Sequence, residues 1–212
     1  MPRVISGSFA IGGTFLLAGT ALHPHEHVSG GTLQEQFHAM FEDPNWYPAH
    51  LLLLVGLTLT TVAVVGLVRT TPPSLPVWVT RFAAVASAVA TAAMVLHLFA
   101  KLDDTHITAG AATPLLYTHA AVETITVPLF GIAFALLAAA GGRSRVLGNP
   151  VVAVLGVVGG LGYALAGATA PFISTFTPLF DVVALVGVWA MAVGAMQVLR
   201  ARHARTPHLV AR

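Results

Sequence analysis

Six long apolar segments dominate the sequence and limit the folds that it can adopt. Each contains 19 or more residues, and a helix needs about 20 to cross the hydrocarbon core of a bilayer. One such segment is also compatible with a buried helix of a soluble protein, but six in succession are not. They predict a single all-α domain of six transmembrane helices, at residues Val4–Leu22, Ala49–Val68, Phe82–Ala100, Leu115–Ala140, Val151–Ala170 and Leu179–Leu199.

The composition supports a membrane protein and excludes several cofactor classes. Only 8% of the residues are charged, whereas soluble domains have about 25%. The chain has no cysteine, which excludes disulfides, thiolate metal sites, iron–sulfur clusters and covalent c-type haem attachment. A metal or a haem in this protein would therefore be held by other side chains.

The first apolar segment has some features of a secretory signal peptide. A basic residue, Arg3, precedes it, and small residues lie near its end. However, the apolar part of a signal peptide is typically 7–15 residues long, and this segment is longer. We interpret it as the first transmembrane helix.

The basic residues predict the orientation in the membrane. In a six-span chain all nine arginines fall on one side, and Lys101 is the one lysine on the other side. By the positive-inside rule, both termini are cytoplasmic and the protein lies in the inner membrane. We attribute the basic isoelectric point to this orientation, so the expected partner is the lipid bilayer and not nucleic acid. The arginines are Arg3, Arg69, Arg81, Arg143, Arg145, Arg200, Arg202, Arg205 and Arg212.

The acidic residues and histidines show the opposite distribution. All eight acidic residues and eight of the ten histidines fall in the outer loops or the outer halves of the spans. This distribution predicts one polar layer at the extracytoplasmic face, where an ion or a small molecule could bind.

The first outer loop is the longest and contains two motifs. A short amphipathic helix is predicted after Thr32, which forms a capping box with Glu35, and its apolar residues suggest a helix that lies at the membrane interface. Before it comes the sequence His23-Pro24-His25-Glu26-His27. These histidines could chelate a metal or collect ions for a deeper site, but a solvated loop is an equal interpretation.

A metal site is the preferred hypothesis for the polar layer. His119 and Glu123 are four residues apart, so they lie on one face of the fourth span, where an ionisable group is costly without a function. His50 and His97 fall at similar depth in the neighbouring spans, and Asp181 is a fifth candidate at the start of the sixth. Imidazole and carboxylate ligands suit Zn, Cu or Fe. Glu123 would serve as a ligand or as a general base, in redox chemistry or metal-assisted hydrolysis.

Three alternatives remain open from the sequence. A b-type haem could use His97 with His50 or His119 as axial ligands, with Lys101 paired to a propionate, and would make the chain an electron-transfer protein. An ion or proton permease could collect its ion with the outer histidines. Lastly, Glu123 could pair with Lys101 or a histidine and only stabilise the helix bundle. The sequence does not decide whether the protein is an enzyme.

Overall fold

The computed structural model describes residues 1–24, 32–70, 72–108, 113–170 and 172–203, and these contain helices but no strand. Six of the helices are long and apolar enough to cross a membrane. The predicted all-α fold with six such helices is therefore confirmed. The α-helices are α1 (Arg3–Leu22), α2 (Leu33–Glu42), α3 (Trp46–Arg69), α4 (Val77–Phe99), α5 (Asp104–Thr108), α6 (Pro114–Arg143), α7 (Pro150–Thr169) and α8 (Ala184–His203).

Side-chain caps determine where several helices begin. The hydroxyl of Thr32 accepts a hydrogen bond from the Glu35 amide and the Glu35 carboxylate accepts one from the Thr32 amide, so the predicted capping box is present. In α6 and α7 the capping residues Thr113 and Asn149 precede a proline. Proline suits the first turn of a helix, where its missing N–H would have no helical acceptor.

The six long helices form a closed ring. Helix α1 contacts α3, α3 contacts α4, α4 contacts α6, α6 contacts α7, and α7 contacts α8, which packs back against α1. Short connections favour such antiparallel neighbours. As a result, α3, α4 and α6 are adjacent, and the polar residues at one end of each come together.

Small residues allow the closest helix contacts. A side chain at Gly131 of α6 would collide with the backbone of Gly160 in α7, and one at Gly13 of α1 would lie 2.7 Å from the amide of Met191 in α8. The apolar core between the helices contains Phe134 and Trp189, both fully buried.

The last span differs from its predicted form. Residues Ser174–Val183, which include Asp181, form a 3₁₀ helix, and the α-helix begins only at Ala184. The sequence predicted one continuous helix from Leu179. Pro178 lies inside the 3₁₀ segment, and because proline donates no hydrogen bond and restricts the residue before it, a regular α-helix is disfavoured there. A second 3₁₀ segment, Ala100–Asp103, follows α4.

The arginine-bearing ends of the helices share one end of the bundle. A guanidinium nitrogen of Arg200 donates a hydrogen bond to the Arg145 carbonyl at 3.2 Å. Residues from the ends of α1, α3 and α8 line one cleft there, together with Val146. Arg205, Arg212 and His208 of the C-terminal tail lie outside the described residues, as do His25, Glu26 and His27 of the first loop.

Candidate metal site

Four of the predicted site residues meet at the opposite end of the bundle. His50 lies in the first turns of α3, His97 in the last turn of α4, and His119 and Glu123 in the first turns of α6. Atom Nε2 of His97 is 2.9 Å from Nε2 of His50, and the ring centroids of His97 and His119 are 4.0 Å apart. Because α3, α4 and α6 are neighbours in the ring of helices, residues as far apart in sequence as His50 and Glu123, which are 73 positions apart, lie in one cluster.

Three of these residues have the geometry of a metal-ligand set. One ligand atom each from His97, His119 and Glu123 lies within 4.8 Å of the other two. Two ligands about 2.1 Å from one metal are at most about 4.2 Å apart. The three atoms would therefore have to move closer together, by side-chain rotation, to bind one ion.

His50 lies beside this set but is not one of the three residues whose ligand atoms converge. Its Nδ1 lies 2.6 Å from the backbone carbonyl of Trp46. Because a carbonyl can only accept a hydrogen bond, Nδ1 carries the proton, and the Nε2 lone pair of the neutral ring accepts a hydrogen bond from Nε2–H of His97. Histidine ligands of metals commonly donate their other ring N–H to a backbone carbonyl, as Nδ1 of His50 does. A metal bound by His50 would take the place of the His97 proton in this contact.

His119 is the residue that a purely structural role explains least. It is 2% exposed, and neither of its ring nitrogens has a hydrogen-bond partner in the described part of the chain. Its Nε2 is 3.6 Å from Oε1 of Glu123, which is longer than a hydrogen bond. A buried polar atom without a partner costs about 1–3 kcal/mol. Both nitrogens of His119 therefore destabilise the fold unless they bind a partner.

Aromatic rings cover the site. The ring of Trp46 lies parallel to His97 at 5.3 Å and against His50 at 3.9 Å. From α2, the edge of Phe37 packs against His119 at 4.3 Å, and Phe41 packs against Trp46 at 4.7 Å. The sequence predicted that the helix containing these phenylalanines would lie at the membrane interface, and it gave no signal for their contacts with Trp46 and His119. The spacing of Trp46 and His50, which are four residues apart, was the signal for the contact between those two rings.

Helix α2 is held over the site by a polar contact as well. Atom Nδ1 of His38 lies 2.7 Å from a carboxylate oxygen of Asp104 in α5. This hydrogen bond, with the negative charges of Asp104 and of Glu42, raises the pKa of His38 above its ordinary value. The protonated ring then makes a charge-assisted hydrogen bond that links α2 to α5.

His23 also reaches the site. It follows the last residue of α1, and its ring centroid lies 4.8 Å from that of His50. The sequence placed His23 only in the histidine-rich loop and did not connect it with His50. Four histidines therefore follow one another in the structure, and we call His23, His50, His97 and His119 the histidine row.

Two predicted residues lie outside this cluster. Asp181 is exposed in the 3₁₀ segment Ser174–Val183 and does not belong to the ligand set of His97, His119 and Glu123. Lys101, which the sequence paired with Glu123 or with a haem propionate, lies with its Nζ 5.4 Å from the ring centroid of Tyr47. The carboxylate of Glu123 instead faces His119.

No protein-family profile, curated protein or solved structure matches this chain. The functional assignment therefore depends on the chemistry of the site itself.

Proposed function

We propose that this protein is an integral membrane metalloprotein that binds one transition-metal ion through His97, His119 and Glu123, with His50 as the fourth ligand. The observation that carries the proposal is the buried ring of His119. Its two nitrogens lack hydrogen-bond partners among the described residues, yet they lie beside a carboxylate and a second imidazole. A bound ion would supply a partner for one of these nitrogens, which the described residues do not.

The proposed location is the extracytoplasmic face of the inner membrane. The arginine-bearing helix ends meet at the end of the bundle opposite the histidine row. The positive-inside rule assigns the arginine end to the cytoplasm, together with both termini. The metal would then be loaded and used from the outer side.

The donor set restricts the choice of metal. Imidazole nitrogens with one carboxylate oxygen suit Zn, Cu and Fe, and two histidines with one carboxylate are also the ligand set of non-haem Fe(II) sites. When bound, the ion would supply a Lewis acid for hydrolysis or a redox centre. Glu123 would act as the ligand or as the general base, since its side chain is the more exposed partner of the His119–Glu123 pair.

The geometry favours a single ion over a haem. Two axial histidines of a haem place their nitrogens about 4 Å apart, which is twice a metal–nitrogen bond of about 2 Å, with the macrocycle between the rings. The Nε2 atoms of His50 and His97 are 2.9 Å apart, and the rings of His97 and His119 are in direct contact. Neither pair leaves space for a macrocycle.

The structure likewise gives a permease little support. Below the site, the core is closed by Phe130, Phe134 and Leu137 of α6, all of which are buried. The hydroxyls of Thr58 and Thr60, which could have lined a path, donate to backbone carbonyls of their own helix. An ion that crossed here would have to pass through apolar side chains, at high desolvation cost.

The test is to purify the protein without added metal, measure its metal content by mass spectrometry, and record its visible spectrum. We expect about one Zn, Cu or Fe per chain and no Soret band. His119→Ala should remove the metal while the protein still inserts into the membrane. The matched control is His106→Ala, which removes an exposed histidine from α5 and should leave the metal content unchanged.

Two results would contradict this proposal. A Soret band would identify a haem protein. Metal-free wild-type protein that also fails to bind added Zn²⁺, Cu²⁺ or Fe²⁺ would mean that the histidine cluster is only structural.

A further inference from the structure

The histidine row runs from the protein surface to its interior. His23 is partly exposed, whereas His50, His97 and His119 are 0%, 8% and 2% exposed. The successive ring centroids along the row are 4.8, 4.7 and 4.0 Å apart. Each imidazole ring therefore packs directly against the next.

The other approach to the site is closed by apolar side chains. On the α2 side, Phe37 and Phe41 cover His119 and Trp46 and are themselves buried. A hydrated ion that crossed this layer would lose its water ligands without gaining others, which is strongly unfavourable. On the described surface, ligands are offered by His23, which follows the end of α1, and by the partly exposed side chain of Glu123, which lies further along its helix.

We propose that His23 and His50 form a loading site, which captures a metal ion at the outer surface and transfers it to His97, His119 and Glu123. This inference rests on the proposed function, because it assumes that the buried cluster is the final metal site. In each transfer step the ion would gain one imidazole before it releases another, so that it is never without ligands. His23 would bind the ion during loading but not at equilibrium.

The orientation of His23 supports this role. Its Nδ1 lies 3.1 Å from the backbone carbonyl of Pro24, so Nδ1 carries the proton and Nε2 has the lone pair that a metal needs. His50 shows the same arrangement with the carbonyl of Trp46. Both histidines thus have a ring tautomer that is suited to bind a metal through Nε2.

The experiment measures how fast the metal-free protein takes up Co²⁺ alone, whose visible absorption changes when imidazole ligands bind. His23→Phe keeps a ring beside His50 but removes both nitrogens. We expect it to slow uptake by about tenfold, the lower end of what a site that concentrates an ion contributes to an association rate. The final amount of bound Co²⁺ should equal that of the wild type.

Two further variants separate ligation from a structural role. His23→Glu provides a different ligand at the same position and should restore most of the uptake rate. His106→Phe makes the same substitution at an exposed histidine outside the row and should have the wild-type rate. Slow Co²⁺ uptake by His23→Phe, together with fast uptake by His23→Glu, would support the loading site.

Unchanged uptake in His23→Phe would overturn the inference while the proposed function stands. So would a loss of bound Co²⁺ at equilibrium in this variant, because His23 would then be a permanent ligand. If the wild-type protein binds no Co²⁺ and no other transition metal, the proposed function itself fails, and this outcome is distinguishable from the other two.

Discussion

The two halves of α6 bury different residues: the first buries Leu116 and His119, and the second buries an apolar face that packs in the core. The first half places His119 and Glu123 beside other ionisable groups, and the nitrogens of His119 have no hydrogen-bond partner among the described residues. The second half buries Phe134 and Gly131, which pack against the core and against Gly160 of α7. One helix thus contains a half that costs stability and a half that provides it.

This difference separates function from stability within a single element. Dense packing of small and aromatic residues stabilises helix contacts in a membrane, where apolar burial itself contributes little. Buried imidazoles without partners destabilise, and proteins retain such groups where they serve a function. The following four substitutions test this contrast, in order of decreasing expected effect.

The largest effect is expected from Gly131→Leu in the packing half. A side chain there collides with the backbone of Gly160 and lies 2.9 Å from Ala164. Overpacking typically costs about 1–3 kcal/mol and more where a backbone must move. We expect loss of monodisperse protein on size-exclusion chromatography in detergent. Gly7→Leu is the matched control, because nothing lies within 4 Å of its added carbon atom, and it should behave as wild type. Equal yields of the two variants would contradict the role assigned to this half.

A smaller, local effect is expected from Phe41→Ala in the cover of the site. Phe41 is fully buried against Trp46, and removal of a buried ring leaves a cavity that destabilises its surroundings. Because α2 lies outside the ring of six helices, we expect faster hydrogen exchange in α2 and unchanged exchange in α6 and α7. Gln34→Ala, on the same helix, should leave hydrogen exchange unchanged in α2, α6 and α7. If α2 keeps its wild-type protection from hydrogen exchange in Phe41→Ala, then the Phe41 side chain does not hold α2 over the site.

His119→Leu should stabilise the metal-free protein. The substitution removes two buried nitrogens without hydrogen-bond partners in the described structure, and we expect a gain of about 1–2 kcal/mol in unfolding free energy. The same variant should lose metal binding. Unfolding in denaturant, without metal, provides the measurement, and Thr118→Leu at the exposed neighbouring position is the control. A destabilised His119→Leu would mean that the ring is held by interactions that stabilise the fold, as in the second half of α6.

The smallest effect concerns the contact between His38 and Asp104. The hydrogen bond to Asp104 raises the pKa of His38, whose ordinary value is about 6.5. A raised pKa means that the contact stabilises α2 fully below about pH 6.5 and that this contribution is lost as the pH rises through the raised value.

Asp104→Asn should therefore lower the pKa of His38, measured from its ring resonances by NMR, and should weaken α2 protection at low pH but not at high pH. Asp43→Asn is the control, because its carboxylate accepts a hydrogen bond from the Asn45 amide. An unchanged pKa of His38 in Asp104→Asn would show that the contact does not form in solution.

The sequence alone predicted the all-helical fold with six long apolar helices and named the residues of the candidate site. Six apolar segments and a low charge content leave few alternatives to a helical membrane protein, because unpaired backbone groups are too costly in lipid. The depth of His50, His97 and His119 in successive spans indicated that they would lie in one layer. Glu123 followed from its helical spacing to His119. These inferences depend on the helical spacing of the polar residues and on the length of the apolar segments, which are local properties of the chain.

The tertiary structure decided which residues touch. The ring of helices brings His97, His119 and Glu123 together, leaves Asp181 outside this set, and turns Lys101 towards Tyr47. It also places Phe37 and Phe41 over the histidines, and His23 beside His50. None of these contacts could be inferred from periodicity, because they depend on which helices are neighbours and how far each is rotated. Packing between helices, through glycines such as Gly131 and Gly160, determines which helices are neighbours and how far each helix is rotated.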